Sequence, residues 1–195
     1  MLSLLILLAS EKYAGVESKR NNWFIIPALI LIAEVVVIIF SAFKRLSLYV
    51  DAYSLTELRF YVAGFIILLL ALFIIFAVKL IKSKPEQFFT FGTLISVITF
   101  LIVINILNPD AFIAQYNLEQ YGRTGKIDVK HIGQLSADAN PWKLELYEKL
   151  QGEDKEILRE LLLKNKNYLL ENSADWQAAN LARYRALKSL QGFVE

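Results

Sequence analysis

Three stretches of the chain stay apolar on every face of a helix. They are residues 23–43 (WFIIPALILIAEVVVIIFSAF), 60–81 (FYVAGFIILLLALFIIFAVKLI) and 88–107 (FFTFGTLISVITFLIVINIL). Each approaches or exceeds the ~20 residues that carry a helix across a hydrocarbon core. A helix packed inside a soluble protein keeps a polar face over such a length, so the pattern predicts three transmembrane helices. From Asn108 onward the pattern becomes amphipathic, and helical spacing predicts helices over 142–151, 154–170 and 174–190. The expected fold is all-α. Residues 1–107 form a polytopic membrane helical bundle, and residues 108–195 form a small helical C-terminal domain at the membrane surface.

The opening MLSLLILLAS is too short to span, and no Lys or Arg precedes it to start a signal peptide. It is either an interfacial or re-entrant piece, or the back half of a spanning helix whose front lies upstream. The second reading, which we prefer, makes the chain the C-terminal portion of something longer.

Between the first two spans lies SLYVDAYSLTELRFY, residues 47–61. Ser54 and Glu57 match the capping box S-x-x-E, with Tyr53 and Leu58 at the staple positions. Glu57 also places negative charge at the positive helix end. Leu46, Tyr49, Val50 and Tyr53 share one short face, and the tyrosines suit a membrane–water interface. The stretch reads as an interfacial helical turn followed by the cap of the second span. After the third span, Asn108 reads as an N-cap, Pro109 as the first helical residue, Asp110 as a dipole partner and Gly122 as the stop.

Charge alters this picture little. The chain carries 21 Lys and Arg against 19 Asp and Glu. Residues 1–107 hold nine basic and six acidic side chains; the remainder holds twelve and thirteen. No basic helix face emerges, so no nucleic-acid partner is expected. There is no Cys and a single His, His131, which excludes disulfides, thiol nucleophiles and cysteine-ligated metals. No Gly-rich phosphate loop, G-x-S-x-G or H-E-x-x-H occurs. The expectation is a non-enzymatic protein with no cofactor and no metal.

Three polar positions stand out. Glu34 falls mid-way along the first span, where an acidic side chain costs at least ~2.5 kcal/mol and is a functional candidate by default. It could relay protons or bind a cation; the preferred reading is a protonated carboxyl bonded to Ser or Thr across a helix interface. Arg183 interrupts the apolar face that Trp176, Ala179, Leu187 and Leu190 would give the last helix, and Asp138 is its candidate ion-pair partner. Lys79, near a span end, is expected to snorkel. Gly92, Ser96, Thr99 and Val103 form a stripe suited to helix packing in lipid, or to a pore lining. Asn105 is a candidate hydrogen-bonding partner for a neighbouring helix.

The succession RLSLYVDAYSLTELRFY, a span, LNPDAFIAQYNLEQY, IDVKHIGQLSADANP and DWQAANLARYRALKSL resembles the bacterial membrane proteins grouped as domain of unknown function 4173, with its relative 4153. The resemblance runs from about Lys44 to Leu190. It departs at Ser54, where Gly is expected, and at Ala179, where a large residue is expected. It implies a polytopic protein of the bacterial cytoplasmic membrane, with further spans upstream, and it supplies no catalytic residues. The expected function is a membrane component whose helical tail engages a partner or signal; the alternative is a transporter or channel part with Glu34 on its path. Basic residues near the spans place the 82–87 turn in the cytoplasm and the C-terminal domain outside it.

Overall fold

The structure is a computed structural model that describes residues 2–13, 22–171 and 188–190. Those residues form helices and turns, with no strand among them. In chain order the helices are α1 (Leu2–Tyr13), α2 (Asn22–Tyr53), α3 (Glu57–Ile81), α4 (Glu86–Leu107), α5 (Pro109–Thr124), α6 (Val129–Gln134), α7 (Asn140–Lys149) and α8 (Glu153–Glu171). A single 3₁₀ turn, Ala137–Ala139, separates α6 from α7. Helices α2, α3 and α4 are each long and apolar enough to cross a membrane.

The chain divides into two compact units. The first comprises residues 1–48 and 61–103. Its core joins Leu7 of α1, Ala28, Ile32 and Ile39 of α2, Phe73, Phe76 and Leu80 of α3, and Phe89 of α4. Helices α3 and α4 approach closely at two glycines. A Cβ on Gly64 would lie 3.0 Å from the Phe100 ring, and one on Gly92 would lie 2.8 Å from Ile75. The rest of the apolar surface faces outward: Ile30, Val37, Ile38, Phe40, Ile95 and Ile98 are all exposed. Soluble monomers rarely expose such continuous apolar surface, and lipid is the solvent that accepts it.

The second unit comprises residues 49–60 and 104–195. The stretch between α2 and α3 therefore belongs with the C-terminal helices, where the sequence reading assigned it to the membrane region. One core joins Leu118, Val129, Ile132, Leu146, Leu150, Leu158, Leu162, Leu169 and Leu190. A second joins Val50 and Leu55 to Ile113, Ala114, Leu135 and Ala139, and Trp142 packs against both.

Helix ends supply the corrections. Ser54, Ser83 and Asn108 are the non-glycine residues with positive φ among those described, and one follows the end of each candidate span. A left-handed residue is a common way to stop a helix, and Gly or Asn is its usual occupant. Ser54, at φ 67°, thus ends α2 and does not cap α3. The cap belongs to Thr56, whose Oγ1 accepts from Arg59 N–H at 3.4 Å, and Glu57 is the first helical residue. Asn108 holds the N-cap position of α5 but makes no side-chain cap bond, its backbone being left-handed. Gly122 lies inside α5, which runs to Thr124 and stops at Gly125, φ 67°. Residues 44–53 continue α2 without a break, so they are not a separate interfacial turn. Lys79 is 3 % exposed, with its ammonium 5.5 Å from the Phe76 ring centre and 5.9 Å from that of Phe89. It is buried against aromatic faces and does not snorkel.

A clamped helix and a polar cleft in the C-terminal unit

Helix α5 organises the second unit through two buried amides. Asn117, 1 % exposed, accepts from Leu55 N–H at 2.7 Å and donates to Leu55 C=O at 2.8 Å. Gln120 donates to the carbonyls of Val50, at 3.1 Å, and Asp51, at 2.8 Å. Those carbonyls belong to the last turn of α2, where four C=O groups have no partner within the helix. Arg59 serves the same end by donating to the carbonyls of Tyr53 and Ser54. The termination of α2 therefore rests on side chains delivered by α3 and α5.

The other side of the unit is built on a buried lysine. Lys143 of α7 is fully buried, and its ammonium donates to Leu135 C=O at 2.6 Å and to Gly133 C=O at 3.2 Å. Burial lowers its pKa from 10.5 to about 8, against the raising effect of the Asp110 carboxylate. Asp110 itself accepts from Ser136 N–H at 2.9 Å. Two charged side chains, one on α5 and one on α7, thus hold the loop that follows α6. Within α6, Gly133 admits α8 closely: a Cβ there would collide with Leu161 Cδ1.

That same loop forms one wall of a cleft of about 530 Å³, within the range of small-molecule sites. Gly133 to Asp138 line this wall, and Leu161, Lys164, Asn165, Tyr168 and Leu169 of α8 line the other. Asn165 donates to Asn140 at 3.3 Å, and the amide nitrogen of the fully buried Asn140 has no partner among the described residues. Neither Asp138 nor Lys164 makes an ion pair or hydrogen bond among them.

Of the residues singled out in the sequence, the structure places Asp138 on the cleft wall. Arg183 lies outside the described residues, as does most of the helix expected over 174–190. Glu34 is exposed on α2 in the first unit and touches no polar partner among the described residues. The Gly92 stripe is divided: Gly92 packs on Ile75 and Ser96 bonds back to Gly92 C=O at 2.8 Å, while Thr99 and Val103 are exposed. Sequence reasoning did not single out Asn117, Gln120 or Lys143. For Lys143 a signal existed, since Ala139, Lys143, Leu146 and Leu150 share one helical face. For Gln120 one existed too, since it keeps helical spacing with Phe112, Ile113 and Tyr116; for Asn117, whose partner lies 62 residues away, there was none.

No curated protein and no solved structure matches the chain. A family profile described as "Domain of unknown function (DUF4153)" matches residues 1–146, three-quarters of the length. The match takes in every candidate span and stops inside α7, so the α8 wall of the cleft lies beyond it. The matching profile is that of 4153, the second of the two families the resemblance implies. The chain belongs to the DUF4153 family.

Proposed function

We propose that this integral membrane protein is a non-enzymatic component whose C-terminal helical domain engages a partner or signal and passes its occupancy to the spans through α5. The cleft is the observation that carries this reading. Its loop wall is fastened to α5 by the Asp110–Ser136 bond, and α5 begins directly after α4 and grips the end of α2. A change at the cleft wall therefore reaches the chain where two spans end.

Three crossings place the α2–α3 connection and everything after α4 on one side of the membrane. The hydrogen bonds from Asn117 and Gln120 to residues 50–55 need that shared side. We assign that side as extracytoplasmic, in a bacterial cytoplasmic membrane, from the basic residues around the 82–87 turn. A phosphatase fused after Glu195 is expected to be active, and fluorescence of a cytoplasm-specific reporter there would reverse the assignment.

Hydrogen exchange of the full chain in its native membrane and after purification tests the binding reading. Residues 133–138, 161–169 and 50–55 are expected to be better protected in the membrane, and Lys164→Trp, which adds bulk at the exposed edge of the cleft, is expected to remove the difference. Equal protection in both settings, unaltered by that substitution, would overturn it.

A further inference from the structure

The charges on the cleft narrow its ligand, and this step rests on the reading of the helical domain as a binding module. We propose that the cleft takes a small zwitterion, a molecule carrying both an ammonium and an oxyanion. The loop wall offers the Asp138 carboxylate, and α8 offers the Lys164 ammonium. Neither is neutralised by a partner among the described residues. A simple cation would meet Asp138 but be repelled by Lys164, and a simple anion would meet the reverse. One ligand of both signs satisfies both walls, and opposite charges on the two walls also orient it.

The remaining lining agrees with that choice. Asn165, already tied to Asn140, leaves its side-chain oxygen beside Lys164, and Leu161, Leu169 and Ala137 supply apolar surface for a carbon skeleton. The loop wall is fixed from behind by Lys143 and Asp110, so Asp138 sits on a preorganised edge, which lowers the ordering cost of binding. A free amino acid or short peptide has this chemistry, and so does a phosphoethanolamine lipid headgroup.

The full chain in detergent, titrated calorimetrically with L-leucine, the dipeptide Gly-Leu and phosphoethanolamine, tests the class. The same probes with the amine acetylated, or with the carboxylate amidated, are the controls. At least one zwitterion is expected to bind, with a tenfold or greater loss when either end is blocked. Asp138→Asn is expected to abolish the discrimination between free and acetylated amine, and Lys164→Gln that between free and amidated carboxylate. Both substitutions leave the buried frame intact, so a merely structural role would not produce that selective loss. Saturation by phosphoethanolamine lipid in nanodiscs, with no response to amino acids, would assign the zwitterion to the headgroup; a response to free amino acid or peptide in lipid-free micelles would assign it to a soluble source. Blocked and free probes binding equally would overturn the proposal. If only neutral sugars or singly charged ions bind, in a manner lost in Lys164→Trp, the zwitterion fails while the binding-module reading stands. If no probe of any of these classes binds, the zwitterion fails, and the binding-module reading is decided by the exchange comparison alone.

Discussion

Replacing Asn117 by Ala removes both partners of one buried peptide group at once. Leu55 is 7 % exposed and Asn117 is 1 % exposed, so neither the Leu55 N–H nor its C=O has ready access to water. Each buried polar group left unsatisfied costs about 1–3 kcal/mol. With partial relief from water entering the vacated space, the expected loss is about 2–4 kcal/mol. Asn117→Asp keeps an acceptor for the N–H at 2.7 Å but turns an oxygen toward the C=O at 2.8 Å, so it should recover little. Two readouts separate this from a general loss of packing. Unfolding of the full chain in mixed micelles gives the global change, and hydrogen exchange at the Leu55 amide gives the local one. The exchange should accelerate at least tenfold more at Leu55 than at Ile113 on the same core or at Leu118 on the other one. Leu55 exchange unchanged in Asn117→Ala, with a stability change below about 0.5 kcal/mol, would refute the clamp.

Four further outcomes follow from the geometry. Lys143 holds a pKa of about 8 folded against 10.5 ordinarily, so between those values the unfolded chain carries the extra proton. Stability from this group should therefore rise by ~3 kcal/mol as pH climbs from about 8 to about 10.5, and the excess slope should vanish in Lys143→Met, as read by unfolding at stepped pH. Ser54→Gly should stabilise the chain by about 0.5–1 kcal/mol, because φ 67° is strained for Ser and free for Gly; a lower melting temperature would count against the helix-stop role. Thr56→Ala should cost about 1 kcal/mol through the lost cap, while Ser54→Ala should show no cap effect in the exchange of Leu58 and Arg59 amides. Gly133→Ala should cost about 1–3 kcal/mol by forcing Leu161 aside, and Leu161→Ala in the same chain should restore part of it.

The spans were legible because their signal is compositional: every face of α3 is apolar, so no register had to be known. The continuation of α2 to Tyr53 was legible too, since Leu46, Tyr49, Val50 and Tyr53 keep helical spacing, but the change from apolar to polar residues near Lys44 was read as an end. Ser54 shows how a local motif misleads. S-x-x-E fits a cap, yet Thr56 two residues on gives an equally short polar side chain, and the left-handed turn decided between them. The Gly that the family resemblance leads one to expect at this position is explained by that same turn. The cleft was not legible, because its two walls come from α8 and from a loop more than twenty residues earlier; Asp138 stood out only as an ion-pair candidate for Arg183. Lys143 was hidden by its charge: a lysine in a helix is ordinarily a solvated residue, and its two acceptors are carbonyls that no sequence pattern advertises.

The clamp on the α2–α3 connection also sets an order on biosynthesis. The Leu55 peptide and its partner Asn117 are 62 residues apart. At 5–20 residues per second, the first waits roughly 3–12 s before the second has even been made. During that interval α3 and α4 must both be threaded through the translocation machinery, while the Val50 and Asp51 carbonyls stand open to water or to a chaperone. The end of α2 is therefore finished after the last span has been delivered. A chain stalled or truncated before Gln120 would carry inserted spans and an unfinished joint, a ready mark by which membrane quality control could tell it from a completed one.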